Sequence, residues 1–251
     1  METTFQLTVR PDFTPERISG WYIYNTWLQR NLGLHFHLEM YDSFDAQRTA
    51  ICQDEVDLIY ANPFDASMLV REKGFRAVAY PVGVTDECVV VVPAGSSVQK
   101  IEDVQPNARV ASTDDPDIQL VGMIMLEPAD LSTSNVQSIV VDGYVLVAKA
   151  LLKGEADVGF FLKDAWDGLS NPVRKQLRPL VTSQISDIHH VLLVGPRLME
   201  SAEDIQSLML RMPEIEKGQG VLESLGFEGW AEVDQEDTEF MIDLMDTLKA
   251  R

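Results

Sequence analysis

The stretch VDLIYANPFDASMLVREKGFRAVAYP, residues 56–81, decides the fold. Val56 to Tyr60, apolar except for Asp57, reads as a strand. Ala61-Asn62-Pro63-Phe64 reads as a turn, and a helix follows it. Upstream, a helix begins at about Phe44. Before that, Leu34, Phe36, Leu38 and Met40 alternate with His35, His37 and Glu39, which is a strand with one polar face. Further back, Thr14-Pro15-Glu16 reads as an N-cap with proline at the first helical position, opening a helix that stops near Gly33. Phe5 to Val9 is a strand. This β-α-β-α-β order predicts a parallel sheet with helices on its faces.

The middle of the chain repeats the pattern. CVVVVP, residues 88–93, is a continuous apolar run, as buried strands show. Then come ARVAS, a helix starting near Pro116, the strand Ser138 to Val141, and a helix from Tyr144 to Lys153 closed by Gly154. Asp157 to Phe161 is the next strand. HHVLLVGP, residues 189–196, is a second long apolar strand, with helices from there to the end. The expected architecture is α/β in two lobes, each a mostly parallel sheet flanked by helices. Residues 1–89 and 189–251 form one lobe, residues 90–188 form an inserted second lobe, and the two long apolar strands are the crossings. Ligands of open α/β sheets bind beyond the carboxyl ends of the strands, so a small polar ligand is expected in a cleft between lobes.

Composition removes several function classes. The 251 residues carry 40 acidic and 20 basic side chains, a formal net charge of -20. Such a surface repels phosphodiester backbones and anionic lipid, which argues against nucleic-acid binding and membrane docking. No apolar run approaches the ~20 residues that span a bilayer, so no membrane insertion is expected. The start METTFQLTVRPDF has no basic segment followed by an apolar one. As written, the chain reads as cytoplasmic, and as periplasmic if a leader has been removed. Cys52 and Cys88 lack any C-x-x-C spacing and read as reduced core thiols. His35 and His37 share one strand face, yet no third ligand of matching geometry accompanies them, so no metal or other cofactor is expected.

Several stretches together resemble a known family. Residues 56–81, with a strand ending in a small residue, a proline and an aromatic, look like a segment of the phosphate/phosphite/phosphonate-binding proteins of ABC transporters. GEADVGFFLKDAWDGL (residues 154–169) and VLESLGFEGWAEVDQEDTEFMIDLMDTL (residues 221–248) resemble later segments of the same family, in the same order. The resemblance implies a type 2 periplasmic-binding-protein fold that closes two lobes on a small polar ligand. It also implies an ABC permease or a sensor protein as partner. The departure lies in RVASTDDPD, residues 109–117. Where the family usually has Ser-Thr-Ser-Gly cradling an oxyanion, this chain has Ser112-Thr113-Asp114-Asp115. Gly143-Tyr144 stands where the family has a histidine.

Residues expected at cleft-facing strand ends are Asp12, Tyr41, Tyr60, Asn62, Asp86, Ser112, Thr113, Asp114, Asp115 and Tyr144. Asp157 resembles a family position that helps hold the polar tail of the ligand. Each has a plainer reading. Tyr60 suits a core aromatic, Asp157 a solvated strand end, and Asp12 and Asp115 the N-caps of the helices that follow. Two pictures of the turn stay open. In one, Asp114 and Asp115 face the ligand and repel anions. In the other, Asp115 turns inward as a cap and Asp114 outward, leaving the hydroxyls of Ser112 and Thr113 for an oxyanion. No nucleophile-base pair, phosphate loop or metal cluster stands out, so binding rather than catalysis is expected. The alternative is a cytoplasmic enzyme on the same fold, resembling the menaquinone-branch dehydratases.

Overall fold

The computed structural model describes residues 3–11, 15–84, 86–185 and 189–249. The chain falls into two compact units: Met1–Val84 with Ile188–Asp246, and Thr85–Asp187 with Thr247–Arg251.

The first unit opens with β1 (Thr4–Val9), α1 (Pro15–Leu32), β2 (His35–Glu39), α2 (Phe44–Cys52), β3 (Leu58–Ala61), α3 (Pro63–Arg71) and β4 (Arg76–Val82). The chain then enters the second unit with β5 (Cys88–Pro93), β6 (Arg109–Ser112), α4 (Pro116–Met125), β7 (Gln137–Val140) and α5 (Tyr144–Leu152). The same unit continues with β8 (Val158–Leu162), the short α6 (Lys163–Gly168) and α7 (Asn171–Arg174), and β9 (Leu177–Thr182). It returns to the first unit as β10 (Val191–Val194), α8 (Ala202–Leu210), α9 (Gly218–Leu225), β11 (Gly229–Glu232) and α10 (Gln235–Lys249).

The sheet of the first unit has the order β11-β4-β10-β3-β1-β2. β1, β2 and β3 are parallel, while β10 runs antiparallel to both β3 and β4, and β11 antiparallel to β4. β3 shows why its sequence is apolar throughout. Leu58 and Tyr60 join the core under α1, α8 and α9, whereas Ile59 and Ala61 join the core under α2 and α3. Successive strand residues point to opposite faces, and both faces here are covered. Helix starts follow local chemistry: the Ser43 Oγ accepts from Ala46 N at 3.2 Å, and the Asn62 side chain caps α3 with Pro63 at its first position. α1 and α9 pack closely because Gly20 has no side chain; a Cβ there would lie 2.4 Å from the Ser224 carbonyl oxygen.

The sheet of the second unit has the order β7-β6-β8-β5-β9. β6 pairs in parallel with β7 and β8, and β5 runs antiparallel to β8 and β9. Both sheets are therefore mixed. The two long apolar runs each belong to a single sheet: β5 pairs from Cys88 to Pro93 within the second, and β10 pairs from Val191 to Val194 within the first. Their continuous hydrophobicity reflects a position inside the sheet, where every residue from Cys88 to Val92 and from Val191 to Val194 is buried. Three strands were not anticipated. β4 and β9 contain Pro81 and Pro179, which break the apolar signal, and β9 carries its proline on a sheet edge beside a register shift. β11, a four-residue edge strand, lies between two helices in a stretch that reads as helices only.

Candidate ligand-binding site

In the first unit, polar side chains gather at the carboxyl ends of β1, β3 and β4. Arg10 directly follows β1, and its backbone N–H donates to the Tyr60 carbonyl at 3.2 Å. His190 precedes β10, whose first residue pairs with Ala61, so it reaches the same end of the sheet. The Arg10 Nη1 lies 3.4 Å from the His190 Nε2, and both residues are buried, at 8% and 1% exposure. The His190 ring stacks on Tyr60 with centroids 5.3 Å apart, and His189 lies against Tyr80 at 4.1 Å. Burying a guanidinium at a strand end is costly unless it is compensated. Sequence reading missed it. The available signal was a lone arginine abutting the apolar strand Phe5 to Val9.

The other first-unit candidates are more structural than expected. Tyr60 is a core aromatic, packed against Trp21, Phe227 and Trp230. Asn62 is buried and committed to its helix: its Oδ1 accepts from Asp65 N at 2.7 Å and its Nδ2 donates to the Asp65 Oδ2 at 2.9 Å. Asp65 in turn binds Arg48 through both carboxylate oxygens. Tyr41 follows β2 and packs half-buried beside the α2–α3 core; burial, then the charges of Glu39 and Glu55, push its phenol pKa up. Asp12 lies outside the described residues.

In the second unit the turn after β6 forms a compact polar cluster. Ser112, Thr113 and Asp115 are buried, Asp115 at 1% exposure, whereas Asp114 points to solvent. Asp115 is the N-cap of α4: its Oδ1 accepts from Asp117 N at 3.0 Å and from Ile118 N at 3.3 Å. Its Oδ2 accepts from the Tyr144 hydroxyl at 3.0 Å. The Thr113 Oγ1 accepts from Asp115 N at 3.4 Å, and the Gln119 Nε2 donates to the Thr113 carbonyl at 2.6 Å. Asp114 and Asp115 thus do not stand together in the turn; the inward cap and outward neighbour is the arrangement found. Tyr144, the first residue of α5, is brought to the turn across 29 residues of sequence.

Asp86 is half-buried just ahead of β5. Next to it, the buried Glu87 accepts from the Ser183 hydroxyl and from Ile185 N at 2.8 Å. Asp157 lies elsewhere. It grips Arg109 through both oxygens, at 3.0 and 2.7 Å, and accepts from Arg109 N at 2.9 Å. Arg109 begins β6 and Ser112 ends it, so this pair sits at the opposite end of the strand, ~10 Å from the turn at 3.3 Å per residue. The solvated strand end is the arrangement found for Asp157. The hydrogen bonds from Arg109 hold its carboxyl below the usual range. A groove of about 480 Å³ between α1 and α9, lined by Tyr22, Ile23, Trp27 and Val221 among others, includes none of the candidate residues.

Among the described residues no group of three or more His, Cys, Asp or Glu side chains is placed to hold a metal ion. His37 instead pairs with Glu39 at 3.0 Å on an exposed strand face. Cys52 is exposed rather than in the core, and Cys88 is buried.

A family model described as the periplasmic substrate-binding protein of phosphonate ABC transporters matches residues 7–238. The chain belongs to this family. Solved structures agree on the fold. PhnD1 from Prochlorococcus marinus, in complex with methylphosphonate, superposes with a TM-score of 0.83 at 12% identity, covering 98% of each chain. A binding-protein component of an ABC phosphonate transporter from Pseudomonas aeruginosa gives 0.78 at 13% identity, covering 98% of this chain and 88% of that one. The periplasmic aliphatic sulphonate-binding protein SsuA from Escherichia coli gives 0.70 at 12% identity, over 100% and 93%. No curated protein sequence matches the chain. The family is periplasmic and consists of substrate-binding proteins rather than enzymes. Among the described residues, no helix of this member is long and apolar enough to cross a membrane.

Proposed function

We propose that this chain is the solute-binding component of an ABC transporter. It holds a small polar molecule at the carboxyl ends of its strands without transforming it, and delivers it to a permease. The observation that carries the reading is the polar character of those ends. Arg10 and His190 in the first unit and Ser112 and Thr113 in the second are all at least nine-tenths buried. Packing alone favours apolar residues at such positions, because each buried polar group must be compensated. Family membership supports the same reading, and the methylphosphonate bound by the Prochlorococcus relative sets the size of solute to expect.

Thermal unfolding in the presence of methylphosphonate, ethanesulfonate, ethanolamine and glycine tests it. A probe at a hundredfold over its dissociation constant stabilises by ~2.7 kcal/mol, which raises the melting temperature by several degrees. At least one probe is expected to do so, and NMR of the mixture should return it unchanged. Conversion of a bound probe to product would overturn the binding-protein reading, as would the absence of any stabilisation by this set.

A further inference from the structure

We propose that the groove between α1 and α9 is a second binding site, and that it takes a free carboxylate carrying an apolar chain. The groove lies wholly within the first unit and includes none of the strand-end residues. Its volume of about 480 Å³ falls within the ~300–1,000 Å³ of ordinary small-molecule pockets.

The argument starts from how the two helices meet. They run antiparallel, and two contacts set their register. A Cβ on Gly20 would lie 2.4 Å from the Ser224 carbonyl oxygen, and the Trp27 indole Nε1 donates to the Glu216 carbonyl at 3.1 Å. On α1, residues four apart share a face, so Tyr22, Thr26 and Arg30 form one ridge along the groove, ~12 Å long at 1.5 Å per residue. The register then divides the groove by chemistry. At one end Tyr22 and Ile23 come level with Val221; at the other, Trp27 and Arg30 come level with the turn that holds Lys217. Tyr22 and Ile23 are half exposed, so the fold leaves their apolar surface open.

The cationic end is the second part of the argument. Among the described residues Arg30 has no carboxylate partner, in a chain with 40 acidic against 20 basic side chains. The Lys217 Nζ lies 3.9 Å from the Glu216 carboxylate, at the outer limit of an ion pair, and both side chains are exposed. Lys217 also has φ of 64°, in the left-handed region that glycine adopts at less cost, so the turn itself does not call for a lysine. The net charge of -20 repels anions at long range, and a preference for an anion must therefore come from these local groups. A partner helix laid along the groove would need apolar anchors at both ends. An apolar chain with a single carboxylate matches one end with each of its own.

Calorimetry and amide NMR at pH 7 with decanoate and with decylamine, which is protonated at that pH, test this. Decanoate should bind saturably with a dissociation constant of ~1 mM or tighter, the range for a ligand of its size. It should shift the Trp27 indole N–H and the amides of residues 22–31 and 216–221, leaving residues 112–115 unmoved. Decylamine should bind at least ~10-fold more weakly. Arg30→Glu, a charge reversal at an exposed position, should weaken decanoate at least ~10-fold, Arg30→Lys should stay within ~3-fold of wild type, and Ile23→Ser should weaken it ~3-fold or more. Near-UV circular dichroism confirms that each variant is folded. No saturation below ~10 mM decanoate would overturn the proposal. So would decylamine binding as tightly as decanoate, a folded Arg30→Glu variant that binds like wild type, or shifts centred on the strand ends.

Discussion

Replacing Asp115 with alanine removes three hydrogen bonds at once, and the structure sets how much each is worth. The Oδ1 caps two backbone amides of α4. Losing an aspartate N-cap costs ~1 kcal/mol, within a range of about 0.5–2. The Oδ2 accepts from the buried Tyr144 hydroxyl. Depriving a buried hydroxyl of its acceptor adds roughly 1–3 kcal/mol. Against this stands relief of repulsion from Asp114 and Asp117, which the isosteric Asp115→Asn variant reports separately because it retains the cap. The net expectation for Asp115→Ala is a loss of roughly 2–4 kcal/mol from the second unit. Urea unfolding measures the total, and hydrogen exchange over residues 112–125 localises it, since Asp117 N and Ile118 N should lose their protection first. A double-mutant cycle with Tyr144→Phe should return a coupling of ~0.5–3 kcal/mol, because the two side chains share a hydrogen bond. A loss below ~0.5 kcal/mol, with strictly additive single variants, would refute the placement of this carboxylate.

Two other outcomes are expected. Gly122→Ala should destabilise the second unit by ~1–3 kcal/mol, because its Cβ would lie 2.5 Å from the buried Phe160 ring, whereas Gly168→Ala, with nothing within 4 Å, should be close to neutral; equal losses for both would contradict this packing. Ellman's reagent at pH 8 should titrate one thiol in the native chain and two after unfolding, because Cys52 is exposed while burial, then the charge of Asp115, pushes the Cys88 thiol pKa up; two reactive thiols in the native chain would show that Cys88 is accessible.

Much of the first unit was legible in sequence because its signals are short-range. The helix starting at Phe44 and the helix after Asn62-Pro63 follow caps that act within three residues, and β3 shows its burial on both faces in Leu58 to Ala61. Strand direction was less legible. A continuous apolar run records that both faces of a strand are covered, and it carries no information about which way the neighbours run. CVVVVP and VLLV are therefore equally apolar although both prove antiparallel to their neighbours. Pro81 and Pro179 hid β4 and β9, because a proline argues against a strand unless the position on the sheet is known.

The candidate site divides along the same line. The sequence by itself offered a cap by Asp115 as one of two readings of the turn, because a cap reaches only two or three residues along the chain and Asp-Pro is a common helix start; the structure shows the cap. The sequence also determined the family, because those local segments recur in the same order. Which partners meet across the sheet was decided by tertiary structure alone. Tyr144 comes to Asp115 over 29 residues, Arg109 draws Asp157 over 48 to the opposite end of β6, and Arg10 meets His190 over 180. Those meetings depend on strand order and direction, since two side chains at strand ends are neighbours only once the sheet has placed the same ends side by side.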